Sequence, residues 1–505
     1  MDIESLLRES RAEQLQRPLG LQTEAGKERF QRQLRKFTPN IGILQRRQQT
    51  ILELRKTLSS EKEEALNRTF DTIKELEPQF KLFFEKTDVE KDSYEQLLFS
   101  GWKSLQVLNT VPFVLLCLSF FKQFIVPALA VMTPLFMVLM PYILLRYVYR
   151  LQITTSQYMH IMMNMFGLQN LDLTNPRTLL QGGLTLFSLG QSIYQPIQNA
   201  IHLQTIHKQL IQKATAAQQL VHCMKELEQL IPACQTLRCS LKDLEDQEMH
   251  QLFGTFWDNP HRLQLALTIV GDCEVLYRLA SFQTLTPTEY LVGSSPFLEI
   301  REGVDPFLNT SIPFALKLSG ATHHAILTGP NRGGKSSVLR STLLNIVVAQ
   351  TFGMGLTGDS GGVRLRPFDW IATGLRLEDR PGSASMFESE VEFSIQILQR
   401  ANLYPKEVGF ILFDELFHST NPPDGARTAD IFLQKLWTTT NTASFISTHV
   451  FDLAKKAPTK IQRLCVPALK GSDGSLQFTY TLQKGICEVS SVDLILKEKG
   501  LLNAA

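Results

Sequence analysis

The stretch from His324 to Gln350 constrains the fold more than any other. His324-Ala-Ile-Leu-Thr328 is an apolar run of strand length, and Val338–Gln350 repeats its apolar residues at helical spacing. Between them lies Gly329-Pro330-Asn331-Arg332-Gly333-Gly334-Lys335-Ser336-Ser337. This is GxxxxGK followed by Ser, in the strand–loop–helix context that the pattern requires. Glycines let backbone N–H groups close around phosphates, and the helix N-terminus adds positive potential. Gly329, Pro330, Asn331, Gly333, Gly334, Lys335, Ser336 and Ser337 are therefore expected to cradle a nucleoside triphosphate, ATP. Lys335 would reach the β- and γ-phosphates, and Ser336 would ligate Mg2+.

Two further strand ends complete the pattern. Val408-Gly-Phe-Ile-Leu-Phe413 is apolar and stops at Asp414-Glu415, downstream of Lys335 in the same alternating strand–helix region. Asp414 is expected to hold Mg2+ through water, and Glu415 to polarise an attacking water as general base. Ser444-Phe-Ile-Ser-Thr448 stops at His449, which could contact a γ-phosphate or the water that attacks it. The expected fold here is an α/β P-loop NTPase domain, and the expected activity is Mg-dependent ATP hydrolysis with Lys335, Glu415 and His449 as catalytic residues.

These residues resemble the ATPase domain of the MutS family of DNA mismatch repair proteins. Gly329–Ser337 is similar to the family's GPNMGGKST, with Arg332 for Met and Ser337 for Thr. Asp414–Gly425 looks like DE(I/L)GRGTSTYDG but departs from GRG at Phe417, His418 and Ser419; Ser447-Thr448-His449 resembles ATH. Gly303-Val-Asp305-Pro is similar to GRHP with Asp305 in place of His, and Tyr480-Thr-Leu-Gln-Lys-Gly485 resembles YxLxxG. Gly382, Ser385, Phe387 and Glu390 match the GxxSTFxxE segment. The resemblance implies that Ser385 reaches the nucleotide of an opposite subunit, so the ATPase would work as a homodimer with composite sites. It covers about 297–505 well and 150–290, a helical core or lever, more loosely. Residues 1–104 do not resemble a mismatch-recognition domain; a Phe-x-Glu triplet, Phe83-Phe84-Glu85, stands there in a charged helical context. DNA is a partner only by this resemblance.

A third feature is an apolar block. Leu105–Leu145 holds a single charge, Lys122. Gln123–Leu145 alone is long enough to span a bilayer core, and its Pro127, Pro134 and Pro141 are tolerated in membrane helices. Lys103 precedes the block and Arg146 and Arg150 follow it. Since basic residues stay cytoplasmic, the expectation is a transmembrane hairpin turning near Lys122-Gln123, with the ATPase domain facing the cytoplasm. The alternatives are a single crossing, which satisfies only one of the two basic flanks, and a hairpin buried in a cytoplasmic protein. Residues 1–62 carry 13 Lys or Arg against 8 Asp or Glu and read as a charged, exposed helical arm. Gly182-Gly183 and Gly190 read as breakers, and Ile201–Gln247 as two long helices parted at Pro232.

Composition limits the remainder. With 505 residues, 44% apolar and 20% charged, the chain can bury real cores. A net charge of +2 does not advertise nucleic acid, and seven cysteines with no CxxC pair offer no zinc site. The mean hydropathy of −0.04 averages the apolar block with a charged remainder. The readings left open are a membrane-anchored MutS-like ATPase with a DNA link, a membrane-associated mechanochemical ATPase that does not act on DNA, and an ATP-gated scaffold without turnover.

Overall fold

The computed structural model describes residues 3–85, 108, 111–165, 176–232, 234–375, 386–470, 476–489 and 496. The chain forms two compact units: Met1–Asp71 with Gln229–Cys234 and Leu267–Ala505, and Thr72–Glu228 with Gln235–Ala266. These bounds differ from the expected segments 1–104, 150–290 and 297–505, because the N-terminal helices belong to the unit that carries the glycine loop.

The helices, in chain order, are α1 (Ile3–Ser10), α2 (Glu24–Leu34), α3 (Ile41–Thr57), α4 (Ser60–Phe84), α5 (Pro112–Phe120), α6 (Val126–Ile143), α7 (Thr155–Met165), α8 (Pro176–Leu230), α9 (Gln235–Leu241), α10 (Met249–Asp258), α11 (Pro260–Ser281), α12 (Lys335–Phe352), α13 (Met386–Leu403), α14 (Pro422–Leu436) and α15 (Phe451–Lys456). The strands are β1 (Leu285–Tyr290), β2 (Phe297–Gly303), β3 (Phe314–Ser319), β4 (His324–Thr328), β5 (Met354–Leu365), β6 (Trp370–Gly374), β7 (Gly409–Phe413), β8 (Thr442–Ser447), β9 (Gln462–Cys465), β10 (Ala468–Lys470), β11 (Leu476–Phe478) and β12 (Gln483–Lys484).

In the first unit a six-stranded sheet runs in the order β12-β9-β4-β8-β7-β6. Strands β6, β7, β8, β4 and β9 are mutually parallel, and β12 is antiparallel to β9. Every residue of β4, β6, β7 and β8 is buried, as a parallel sheet covered on both faces demands. One face packs Ile326, Ile411, Phe413 and Ile446 against Phe432, Leu436 and Trp437. A second sheet runs β1-β5-β2-β3.

The expected basic arm is instead the cover of α12. That helix is buried from Val338 to Phe352 on nearly every side, and α1, α2 and α3 lie against it; Phe30 stacks on Phe352 with centroids 5.6 Å apart. Three arginines of this region, Arg29, Arg47 and Arg55, are taken up by a carboxylate or by backbone carbonyls. Arg47 Nη1 donates to Thr351 O at 2.6 Å. Arg55 donates to the carbonyls of Leu279, Ala280 and Phe282 at the C-terminal end of α11, where cations are favoured, and to that of Leu285 at the start of β1. Arg29 makes a two-pronged contact with Asp272 at 2.8 Å.

In the second unit Phe83 is buried against Phe253, Phe256 and Trp257, so Phe83-Phe84-Glu85 contributes a core aromatic. The expected hairpin turn at Lys122-Gln123 is absent. Pro127 has no N–H for the carbonyl of Gln123, so the backbone opens into a π turn, Phe121–Ile125, in which Val126 N–H bonds Phe121 O. The helix continues, and Leu116–Val148, 33 residues of mean hydropathy 2.2, is one helix long and apolar enough to cross a membrane. Gly182, Gly183, Gly190 and Pro196 do not break α8, which runs unbroken for 55 residues and stops before Pro232. The segment after Pro232 holds the seven-residue α9 rather than a second long helix.

Candidate functional site

Three neighbouring strands deliver the chemistry. In a parallel sheet of this kind ligands sit beyond the carboxyl ends of the strands. The order β4-β8-β7 puts the ends Thr328, Ser447 and Phe413 side by side, with Leu327 opposite Ser447 and Phe413 opposite Ile446. The glycine loop, Thr448-His449 and Asp414-Glu415 therefore emerge together.

The loop has the backbone that its glycines allow. Gly329 sits at φ 151°, and a Cβ there would lie 2.7 Å from Val466 O; Gly334 sits at φ 101°. Gly334 is the N-cap of α12 and provides no side-chain cap, which leaves the first N–H groups of the helix facing the cavity mouth, where they can receive an anion. Lys335 is buried, with Nζ donating to Gly329 O at 2.9 Å and Pro330 O at 3.1 Å. Burial lowers its pKa, while Glu415 and Asp414 oppose that shift.

A cavity of about 480 Å³ opens beside the loop, within the range of small-molecule sites. Pro330, Asn331, Gly333, Gly334, Lys335, Ser336, Ser337 and Glu415 line it. Gly329, Asp414 and His449 stand behind that lining, each tied to it: Gly329 through Lys335, His449 through Glu415, and Asp414 through Ser447, which accepts the Glu415 N–H. Ser385 lies outside the described residues.

Glu415 is held from two sides. Its Oε1 lies 2.6 Å from His449 Nε2, and its N–H donates to Ser447 Oγ at 3.0 Å. The bond from His449 lowers the carboxyl pKa, burial opposes this, and Lys335 lowers it further; the group is ionised at neutral pH. Glu415 and Phe417 adopt φ of 57° and 56°, the left-handed region, where a side chain costs about 1 kcal/mol or more. Where Phe417-His418-Ser419 depart from GRG, the hydroxyl of Ser419 donates to the buried carboxylate of Glu390 at 2.6 Å, and His418 Nδ1 stands 3.4 Å from the same group.

Sequence reasoning meets three further members of the site only as matches to resembled motifs and gives them no role. Ser447 Oγ, fully buried, donates to Asp414 Oδ1 at 2.5 Å; its one signal is a Ser where the resembled motif has Ala. Tyr480 lines the cavity at φ 53°, its ring 3.3 Å from where a Cβ of Gly334 would lie. Asp305 lines it from the other wall.

The donor set fits Mg2+. Ser336 and Asp414 offer hard oxygen ligands, and among the described residues no group of three or more His, Cys, Asp or Glu forms a complete protein cage. Mg2+ is commonly held in that way, by one carboxylate together with substrate phosphates. Against known proteins, residues 325–496 match the family model of MutS domain V.

Proposed function

Starting from a chain that belongs to the MutS family through residues 325–496, a family of ATPases, we propose that this protein hydrolyses MgATP in composite sites shared by two copies. The observation that carries the reading is the Glu415–His449 contact of 2.6 Å on strand ends adjoining the Lys335 loop.

Each residue has a physical task. Lys335 and the first N–H groups of α12 offset phosphate charge. Ser336 and Asp414 would hold Mg2+, which would neutralise charge on the phosphate oxygens. Ser447 fixes the Asp414 carboxylate. Glu415, kept ionised, accepts a proton from water, and His449 fixes the carboxylate's direction. The face of the Tyr480 ring offers a surface on which a nucleobase can stack. Ser385 would act on the nucleotide of the partner copy.

We assign the membrane anchor to Leu116–Val148, because this apolar helix exposes Phe120, Phe124, Leu129, Phe136 and most large side chains up to Val148, far more than a soluble surface carries. The ATPase body would face the cytoplasm. The family resemblance supports a link to DNA and mismatch repair. A second reading, motion delivered to a membrane partner without DNA, is favoured by Arg29, Arg47 and Arg55. Asp272 and helix carbonyls occupy them, which takes these three out of the basic surface that a phosphate backbone would need.

The test is ATP turnover by the detergent-solubilised chain, alone, with duplex DNA, and with anionic vesicles. DNA stimulation that falls with salt supports the DNA link; stimulation by vesicles alone supports the second reading. No turnover under any condition overturns the enzyme. Release of the protein by carbonate would overturn the anchor.

A further inference from the structure

Residues Met1–Asp71 and Leu267–Ala505 belong to one compact body. Both flanks of the chain must then stand on one side of any membrane. Leu116–Val148 is a single continuous helix, so if it crosses, it crosses once. The chain must return somewhere between Tyr149 and Ala266.

One segment in that interval fits. Thr178–His207, bounded by Arg177 and Lys208, contains no Asp, Glu, Lys or Arg, and all of it lies in α8. At 1.5 Å per residue it reaches about 45 Å, more than the hydrocarbon core of about 30 Å. Among the described residues of the interval, the other uncharged helix, α7, has 11 residues, about 16 Å and too short to cross by itself.

The side chains of α8 change character along its length. From Ile206 onward it buries Leu210, Ala214, Ala217, Leu220 and Met224 in its own unit. Before that, Leu180, Leu184, Phe187, Tyr194, Ile197 and Ile201 are exposed. Thr185, Ser188, Ser192, Gln195 and Asn199 alternate at spacings of three and four, which makes one uncharged polar stripe. Such stripes hydrogen-bond between helices inside a bilayer. The stripe also explains why the segment does not stand out on hydropathy. Pro196 lies inside the helix, where a soluble helix would lose about 3 kcal/mol and a membrane helix tolerates it.

We infer that Thr178–His207 is a second membrane crossing that returns the chain to the side of the ATPase body, with lipid acyl chains against its apolar face. The inference rests on the membrane anchor proposed above. One polar contact ties the two helices: Ser119 Oγ lies 3.1 Å from His207 Nδ1, and within its own helix it accepts from Gln123 Nε2 at 2.6 Å.

The test labels the full-length chain in intact cells with a membrane-impermeant maleimide, using wild type as background. Ser156→Cys, between the crossings, should label several-fold above wild type. Glu61→Cys should gain label only after permeabilisation, and Ser188→Cys only in detergent. Label on Ser156→Cys that appears only after permeabilisation would overturn the return crossing. So would label on Ser188→Cys in permeabilised cells equal to that on Glu61→Cys. Carbonate extraction of the wild type separates the two failures: release sinks the anchor and with it this inference, whereas retention with either labelling failure sinks this inference alone.

Discussion

Ser447 Oγ donates to Asp414 Oδ1 at 2.5 Å while accepting the Glu415 N–H at 3.0 Å. One buried hydroxyl thus sets both carboxylates at the end of β7. Ser447→Ala should leave the fold intact and free the Asp414 carboxylate to rotate. Outer partners of a metal ligand commonly contribute roughly 10–100-fold in affinity. The Mg2+ concentration that half-activates ATP turnover should rise by about that factor, and an unchanged Mg2+ dependence would remove Asp414 from metal binding.

Glu415 and Lys335 should separate chemistry from binding. Glu415→Gln keeps the shape and removes the base, so turnover should fall by about 10²–10⁴ while fluorescent ATP still binds. Lys335→Ala should abolish binding itself. Turnover at the wild-type rate in either variant would refute the assignment.

Tyr480 should serve the base rather than the phosphates. Aromatic stacking on a base contributes about 1–3 kcal/mol, so Tyr480→Ala should weaken ATP roughly 5–150-fold and leave inorganic tripolyphosphate unaffected. Equal weakening of both ligands would mean that the ring merely supports the loop.

His324 should make the first unit sensitive to acid. Burial pushes its pKa down to about 3, whereas an unfolded histidine titrates near about 6.5. The unfolded state binds a proton first, so this stability is complete above about pH 6.5 and is lost as pH falls toward about 3. A shift of this size is worth up to about 5 kcal/mol. His324→Gln should flatten the fall of thermal stability between about pH 6.5 and 4. An unchanged slope would assign that fall to other groups.

Much of the site is legible because its determinants are local. Gly329–Ser337 needs only its own glycines, lysine and flanking apolar runs, and the structure brings Lys335, Ser336, Glu415, Asp414 and His449 together. Ser447 and Tyr480 are not legible as site residues, because each acquires its place from another strand or loop. Lys122 suggests a turn because basic residues flank the apolar run at both ends and a lone charge interrupts it; Pro127 needs no more than a π turn to stay helical. Arg47 and Arg55 look like solvated charge because their partners, helix-end carbonyls, belong to distant segments of the chain.

By itself, the sequence determined a strand–loop–helix for phosphates, carboxylates at the end of a buried strand, and a segment too apolar to stay in water. These follow from residue chemistry over short, contiguous spans of chain. The tertiary structure decided that the basic N-terminal helices cover α12, that the apolar block is one helix, and that both chain flanks share a body. Those outcomes depend on which distant surface each side chain meets, and burial and backbone pairing settle that only once the whole unit has closed.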